Sequence, residues 1–238
     1  MAGACPGHGW RRRRAIRIWA AAVVAVLLAA GAAILVLQTR PAKIPVHVLP
    51  VGQDMDSATA IAVDGPDVWV ASETDRWGGS VTELDASDGR RVRTLSAPDD
   101  GIHSPTAIAA DGAHLWVANG SGSVTELNAG DGSWMATLTG GCYNFDGPRG
   151  IAVDGSHIWV ASSGITPAGG SVTELNASNG SWIQTLSDGT WIQSLLSGCI
   201  PGVLASGGYH FSNPGLIAAV GTHIWVFGSN GVTVLTAP

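Results

Sequence analysis

Four stretches of the chain share one twelve-residue pattern. They are Ile61 to Ser72 (IAVDGPDVWVAS), Ile108 to Asn119 (IAADGAHLWVAN), Ile151 to Ser162 (IAVDGSHIWVAS) and, less well kept, Ile217 to Gly228 (IAAVGTHIWVFG). Each is two short apolar runs joined by a turn. Repetition this close restricts the chain to architectures in which one small unit is stacked on copies of itself.

A second pair of runs follows three of these hairpins: Ser80 to Leu95 (SVTELDASDGRRVRTL), Ser123 to Leu138 (SVTELNAGDGSWMATL) and Ser171 to Leu186 (SVTELNASNGSWIQTL). Each unit therefore holds four β runs, I-A-V, V-W-V-A, V-T-E-L and W-x-x-T-L, rich in β-branched and aromatic residues and bounded by Asp-Gly or Asn-Gly. Gly65, Gly112 and Gly155, and again Gly89, Gly132 and Gly180, supply the positive φ of tight hairpin turns. The tryptophans of the second run lie 47 residues apart (Trp69 to Trp116) and then 43 (Trp116 to Trp159). That spacing is one four-stranded propeller blade. A lone blade cannot keep both faces dry, and packing blades round an axis solves this, with the repeat Trp as core between blades.

The IAVDGxxIWVAS and SVTELNASxG strings resemble those of bacterial propellers of the NHL, YVTN and YncE-like kinds, and of streptogramin lyase-like propellers. The resemblance runs from Ser57 to Pro238. It implies blade architecture and leaves activity open, because such families bind and catalyse different things. The lyase-like relatives use a His and Glu pair with magnesium, and no position here matches that motif.

The expected fold is all-β, a β-propeller of four-stranded blades preceded by one transmembrane helix. Residues 1–17 form a basic cytoplasmic tail carrying Arg11, Arg12, Arg13, Arg14 and Arg17. Residues 18–37 contain no charge and are long enough to cross roughly 30 Å of hydrocarbon as a helix. Arginines before the segment place the N-terminus in the cytoplasm and the propeller outside. The rival reading is a cleaved signal peptide, with the small residues Ala29 to Ala33 as its exit. Residues 38–43 are a linker, and 44–238 the propeller. Beyond the five early arginines there are seven basic and 18 acidic residues, a net −11. Such a surface argues against nucleic acid as a partner.

Val46, Val48 and Leu49 align with Val92, Thr94 and Leu95 of a fourth strand, while the last unit has only three. The leading segment is therefore expected to complete the last blade and close a ring of four. The alternatives are an open arc, or a larger ring completed by a second chain. Asp188 to Leu195 (DGTWIQSL) is a near-copy of Asn179 to Leu186 and is read as an expanded connection.

Strand 2–3 and strand 4–1 connections emerge on one face, and the most individual loops belong to it. Tyr143, Phe145, Tyr209 and Phe211 sit there, shortly before Pro148 or Pro214. They are read either as a binding rim, joined by Asp75, Arg76, Trp77, His103, Asp146 and His210, or as a plug. His114, His157 and His223 share one turn position on the opposite face and are read as repeat-borne, so no metal site is assigned. Glu83, Glu126 and Glu174 are read as structural, and the DASDG and NAGDG strings as turns. Cys142 and Cys199 lie in strand 4–1 connections and could pair in an oxidising compartment.

These residues favour a non-catalytic role: a membrane-anchored extracytoplasmic propeller presenting one loop face to a protein or small-molecule ligand, as a sensor or adhesion module, without a cofactor. The alternative is a lyase- or lactonase-like enzyme with a metal in the central channel.

Overall fold

The structure, a computed structural model, describes residues 55, 57–74, 78–96, 101–164, 169–187 and 211–236. The chain divides into Met1–Val48 and Leu49–Pro238, and every described residue belongs to the second unit. The segment 18–37, the strand Val46 to Leu49 and the near-copy at 188–195 lie outside the described residues. Among the described residues no helix is long and apolar enough to cross a membrane.

Among the described residues fifteen strands form four antiparallel sheets, each an up-and-down meander. Blade 1 is β1 (Ala58–Asp64), β2 (Asp67–Thr74), β3 (Gly78–Asp85) and β4 (Arg91–Ser96). Blade 2 is β5 (Pro105–Ala110), β6 (His114–Asn119), β7 (Ser123–Asn128) and β8 (Trp134–Thr139). Blade 3 is β9 (Pro148–Val153), β10 (His157–Ser162), β11 (Ser171–Asn176) and β12 (Trp182–Ser187). Blade 4 has three described strands, β13 (Leu216–Val220), β14 (His223–Gly228) and β15 (Gly231–Thr236). The repeat thus folds as its residue pattern requires: β-branched runs pair, and the Asp-Gly and Asn-Gly turns reverse the chain with positive φ at Gly65, Gly112, Gly155, Gly89, Gly132 and Gly180.

Period-two alternation gives each blade a trailing face, toward the next blade, and a leading face, toward the one before. Trp69, Ala71 and Val81 pack on Ile108, Leu115, Val117 and Leu127. One blade on, Trp116, Ala118, Val124 and Leu138 pack on Ile151, Ile158, Val160 and Leu175. Trp159, Val172 and Leu186 pack on Ile224, Val226 and Leu235. The three tryptophans are 1%, 0% and 2% exposed, so each is the wedge of one junction.

Backbone closeness fixes the junctions. A Cβ on Gly79 would lie 2.4 Å from Pro105 Cδ, and one on Gly170 2.0 Å from Pro214 Cδ. Only glycine lets the chain at the start of strand 3 lie against the proline at the entry to the following blade. On the inner side, the Thr59 hydroxyl donates to the Pro105 carbonyl at 2.7 Å, and the Thr106 hydroxyl to the Pro148 carbonyl at 2.7 Å. Blade 3 has Arg149 at that position, whose Nε donates instead to Ser163 Oγ at 3.2 Å.

The strands nearest the axis follow one another as β1, β5, β9 and β13, each packed beside the next. No comparable packing joins β13 to β1, so the expected four-bladed closure is not seen among the described residues. The end faces are open in consequence. Trp225 is 40% exposed, unlike its three equivalents.

Candidate functional site

Glu83, Glu126 and Glu174 are buried on the trailing faces, and blade 1 satisfies its glutamate differently from blades 2 and 3. In blade 3 the Asp154 carboxylate accepts the His157 backbone N–H at 3.2 Å and the Trp159 indole N–H at 3.0 Å. His157 lies between Asp154 and Glu174, at 3.3 and 3.7 Å, and Gln184 donates to Glu174. Blade 2 repeats the set with Asp111, His114, Trp116 and Glu126. Blade 1 has Asp67 in place of the histidine, and there Arg93 pairs with Glu83, lies over the Trp69 ring and donates to the Gly130 carbonyl of blade 2 at 2.9 Å. Trp69 Nε1 has no hydrogen-bond partner among the described residues. These are inter-blade supports. His114 and His157 are each engaged within their own blade, and among the described residues no group of three potential ligands could hold a metal ion.

The strand 3–4 turns account for the acidic strings. Asp85, Asn128 and Asn176 each accept a backbone N–H two residues on, at 2.8 Å in all three cases. These are Asx turns, in which the side chain imitates the backbone of a turn.

On the opposite face a cleft of about 420 Å³ opens between blades 2 and 3. Ser121 and Gly122, from a strand 2–3 connection, form one wall. Thr139, Gly140 and Gly141 with Asn144, Phe145 and Asp146, from a strand 4–1 connection, form the other. A 3-10 turn at Gly141–Tyr143 and the left-handed Asn144 (φ 47°) bend that connection inward. The lining offers hydroxyl, amide and carboxylate groups over a small apolar floor. It suits recognition of a polar surface or peptide through hydrogen bonds.

The residues expected on the rim separate. Tyr143 is half-buried and stacks on Phe145 with ring centres 5.3 Å apart. Phe145 and Phe211 are 6% and 2% exposed and belong to the inter-blade cores. They are therefore junction plugs and not an exposed rim. The reason is positional: each stands three residues before the first-strand proline (Pro148, Pro214), as the fully buried Ile102 does before Pro105. Asp146 lines the cleft. His103 is exposed, held by its backbone N–H to Asn119 Oδ1 at 3.0 Å, and does not line that cleft. Asp75, Arg76, Trp77, Tyr209 and His210 lie outside the described residues. Ser121, Thr139 and Asn144 were missed by the sequence reading. Their signal was the meeting of two connections, which requires the fold. Cys142 is disulfide-bonded, and Cys199 lies outside the described residues.

No family model matches the chain, and no curated protein does. Among solved structures it is similar to the computationally designed Ika4 protein, with TM-score 0.56 and 16% identity over 80% of this chain and 96% of that one. It is similar to the WD40 repeats of RRP9, with TM-score 0.55 and 17% identity over 80% of this chain and 53% of that one. It also resembles hydrazine synthase of Kuenenia stuttgartiensis, with TM-score 0.54, 18% identity, 81% of this chain and 49% of that one. The chain spans about half the length of the latter two. What is shared is the propeller-like stacking of antiparallel four-stranded sheets; the particular likeness to NHL, YVTN and YncE-like propellers has no matching family model behind it.

Proposed function

We propose that this chain is a binding module that presents the loop face of its blades to a protein partner, tethered to a membrane by residues 18–37 with the blades on the extracytoplasmic side. One observation carries the reading. The strands are near-identical from unit to unit and are occupied with packing, whereas the connections differ and two of them form a polar cleft on one face. Invariant scaffold with individual loops is the usual division of labour in a recognition domain. The WD40 neighbour favours the same class, by analogy of architecture alone. The uncharged run after a cluster of arginines supports the tether. The partner is a protein with hydrogen-bonding groups rather than an apolar ligand, since Ser121, Thr139, Asn144 and Asp146 dominate the lining.

The test is a photo-crosslinking residue placed in the full-length chain in cells, at Asn144 and, as control, at Ser178 on the opposite face. The reading expects a discrete adduct from position 144 and none from 178, with the chain in the membrane fraction. Equal labelling at both positions, or none at either, rejects the loop face as the binding surface.

A further inference from the structure

We propose that two copies of this chain join end to end into one closed ring, the trailing face of each last blade seated on the leading face of the other copy's first blade.

The argument starts from equivalent positions. Ile108 and Ile151, on leading faces, are each 7% exposed because a preceding blade covers them. Their counterpart in blade 1, Ile61, is 65% exposed, and Val63 beside it is open as well. On the trailing side, Trp225 is the counterpart of three fully buried tryptophans. Around it Leu216, Val220, Phe227, Val232 and Val234 are exposed too. The alternation in β14 and β15 is strict, with Ile224, Val226 and Leu235 buried against blade 3 and the other row facing outward.

The open trailing face is also more apolar than any internal one. Val220 replaces the aspartate of Asp111 and Asp154, and Val234 pairs with Trp225 where Glu126 and Glu174 pair with theirs. A continuous exposed patch of this kind on a sheet is an interaction surface.

The occupant follows from the repeat. What covers a trailing face at every internal junction is a leading face bearing Ile and Val, and this chain carries one such face that is open at Ile61 and Val63, beside the buried Val70. Its own copy is not brought to blade 4 among the described residues, where β13 and β1 share no packing comparable to that of the other inner strands. A second copy supplies the same face at the other end of the arc. Two copies then make two identical junctions related by a two-fold axis, which closes the assembly and leaves no open end to propagate a filament. The inference stands on the faces alone.

The test is the mass of the full-length chain in density-matched detergent by sedimentation equilibrium. The unaltered chain is expected at twice its 24.2 kDa mass. Phe227→Asp and Ile61→Asp, on opposite ends, are each expected to weaken self-association at least a hundredfold. Mixing the two variants restores one sound junction per pair, so the mixture is expected to dimerise where neither variant does. That complementation also shows that both variants are folded, and the unaltered membrane segment cannot produce it. A monomer at every concentration, variants that dimerise like the parent, or a mixture that stays monomeric would each overturn the proposal.

Discussion

The carboxylate of Asp154 accepts the indole N–H of the buried Trp159 from five residues away in sequence, at 3.0 Å. The same pair recurs as Asp111 with Trp116 at 3.3 Å. A residue that in sequence only opens a turn thus also holds the wedge between two blades.

Asp154→Ala leaves a buried indole N–H without an acceptor and frees the His157 backbone N–H. It should cost about 2–3 kcal/mol in urea unfolding, in line with an unsatisfied buried donor. Asp154→Asn keeps an acceptor and should recover more than half of that. Equal losses for the two variants would show that the bond to Trp159 contributes little.

Two carboxyls in blade 2 are displaced in opposite directions. Burial pushes Glu126 above its ordinary 4.5, with His114 opposing and Asp111 adding to the rise. Burial would raise Asp111 too, but the hydrogen bonds from His114, Ala113 and Trp116 hold it below its ordinary 3.8. The raised group favours folding below its unfolded value, a contribution lost as pH climbs through the folded one. The lowered group favours folding above its unfolded value, a contribution lost as pH falls through the folded one. Glu126→Gln should therefore flatten the decline in stability above about pH 4.5, and Asp111→Asn the loss on the acid side of about pH 4. Urea midpoints for both variants across that range check the signs.

Phe145→Ala should destabilise the chain by about 3–5 kcal/mol, the range for a buried aromatic. Ser121→Ala, exposed in the cleft, should change stability by less than about 1 kcal/mol while weakening the crosslink formed from position 144. If Phe145→Ala left stability intact and removed only binding, the plug assignment would be wrong.

Cys142 forms a disulfide. With Cys199 as its partner, the bridge closes a loop of about 57 residues and should be worth on the order of 4 kcal/mol in the chain-entropy picture. Peptide mapping under non-reducing conditions is expected to recover the two cysteines together. Cys199→Ser should release a titratable thiol at Cys142. A bridge to Cys5 instead would place both ends of the chain in one compartment and contradict the membrane topology.

Much of the fold was readable because each blade is a local object. Hairpin strands, positive-φ glycines and buried tryptophans all follow from patterns within a few dozen residues. The site was less readable. Phe145 and Phe211 looked like loop aromatics, and only their shared offset from a proline, matched by Ile102, marks them as core. Asn144 and Ser121 meet across two connections that no local pattern relates. Trp225 carried the same motif as its equivalents but not their burial, because burial depends on a neighbour the repeat does not itself provide.

The hydroxyl links from Thr59 and Thr106 pass from one inner strand to the next and stop at Arg149. A chain stitched in this way does not melt evenly. Amide protons of β13 to β15 should exchange soonest and those of blade 2, stitched on both sides, last. Hemmed at one end and unhemmed at the other, the protein would unravel like cloth, in a fixed direction.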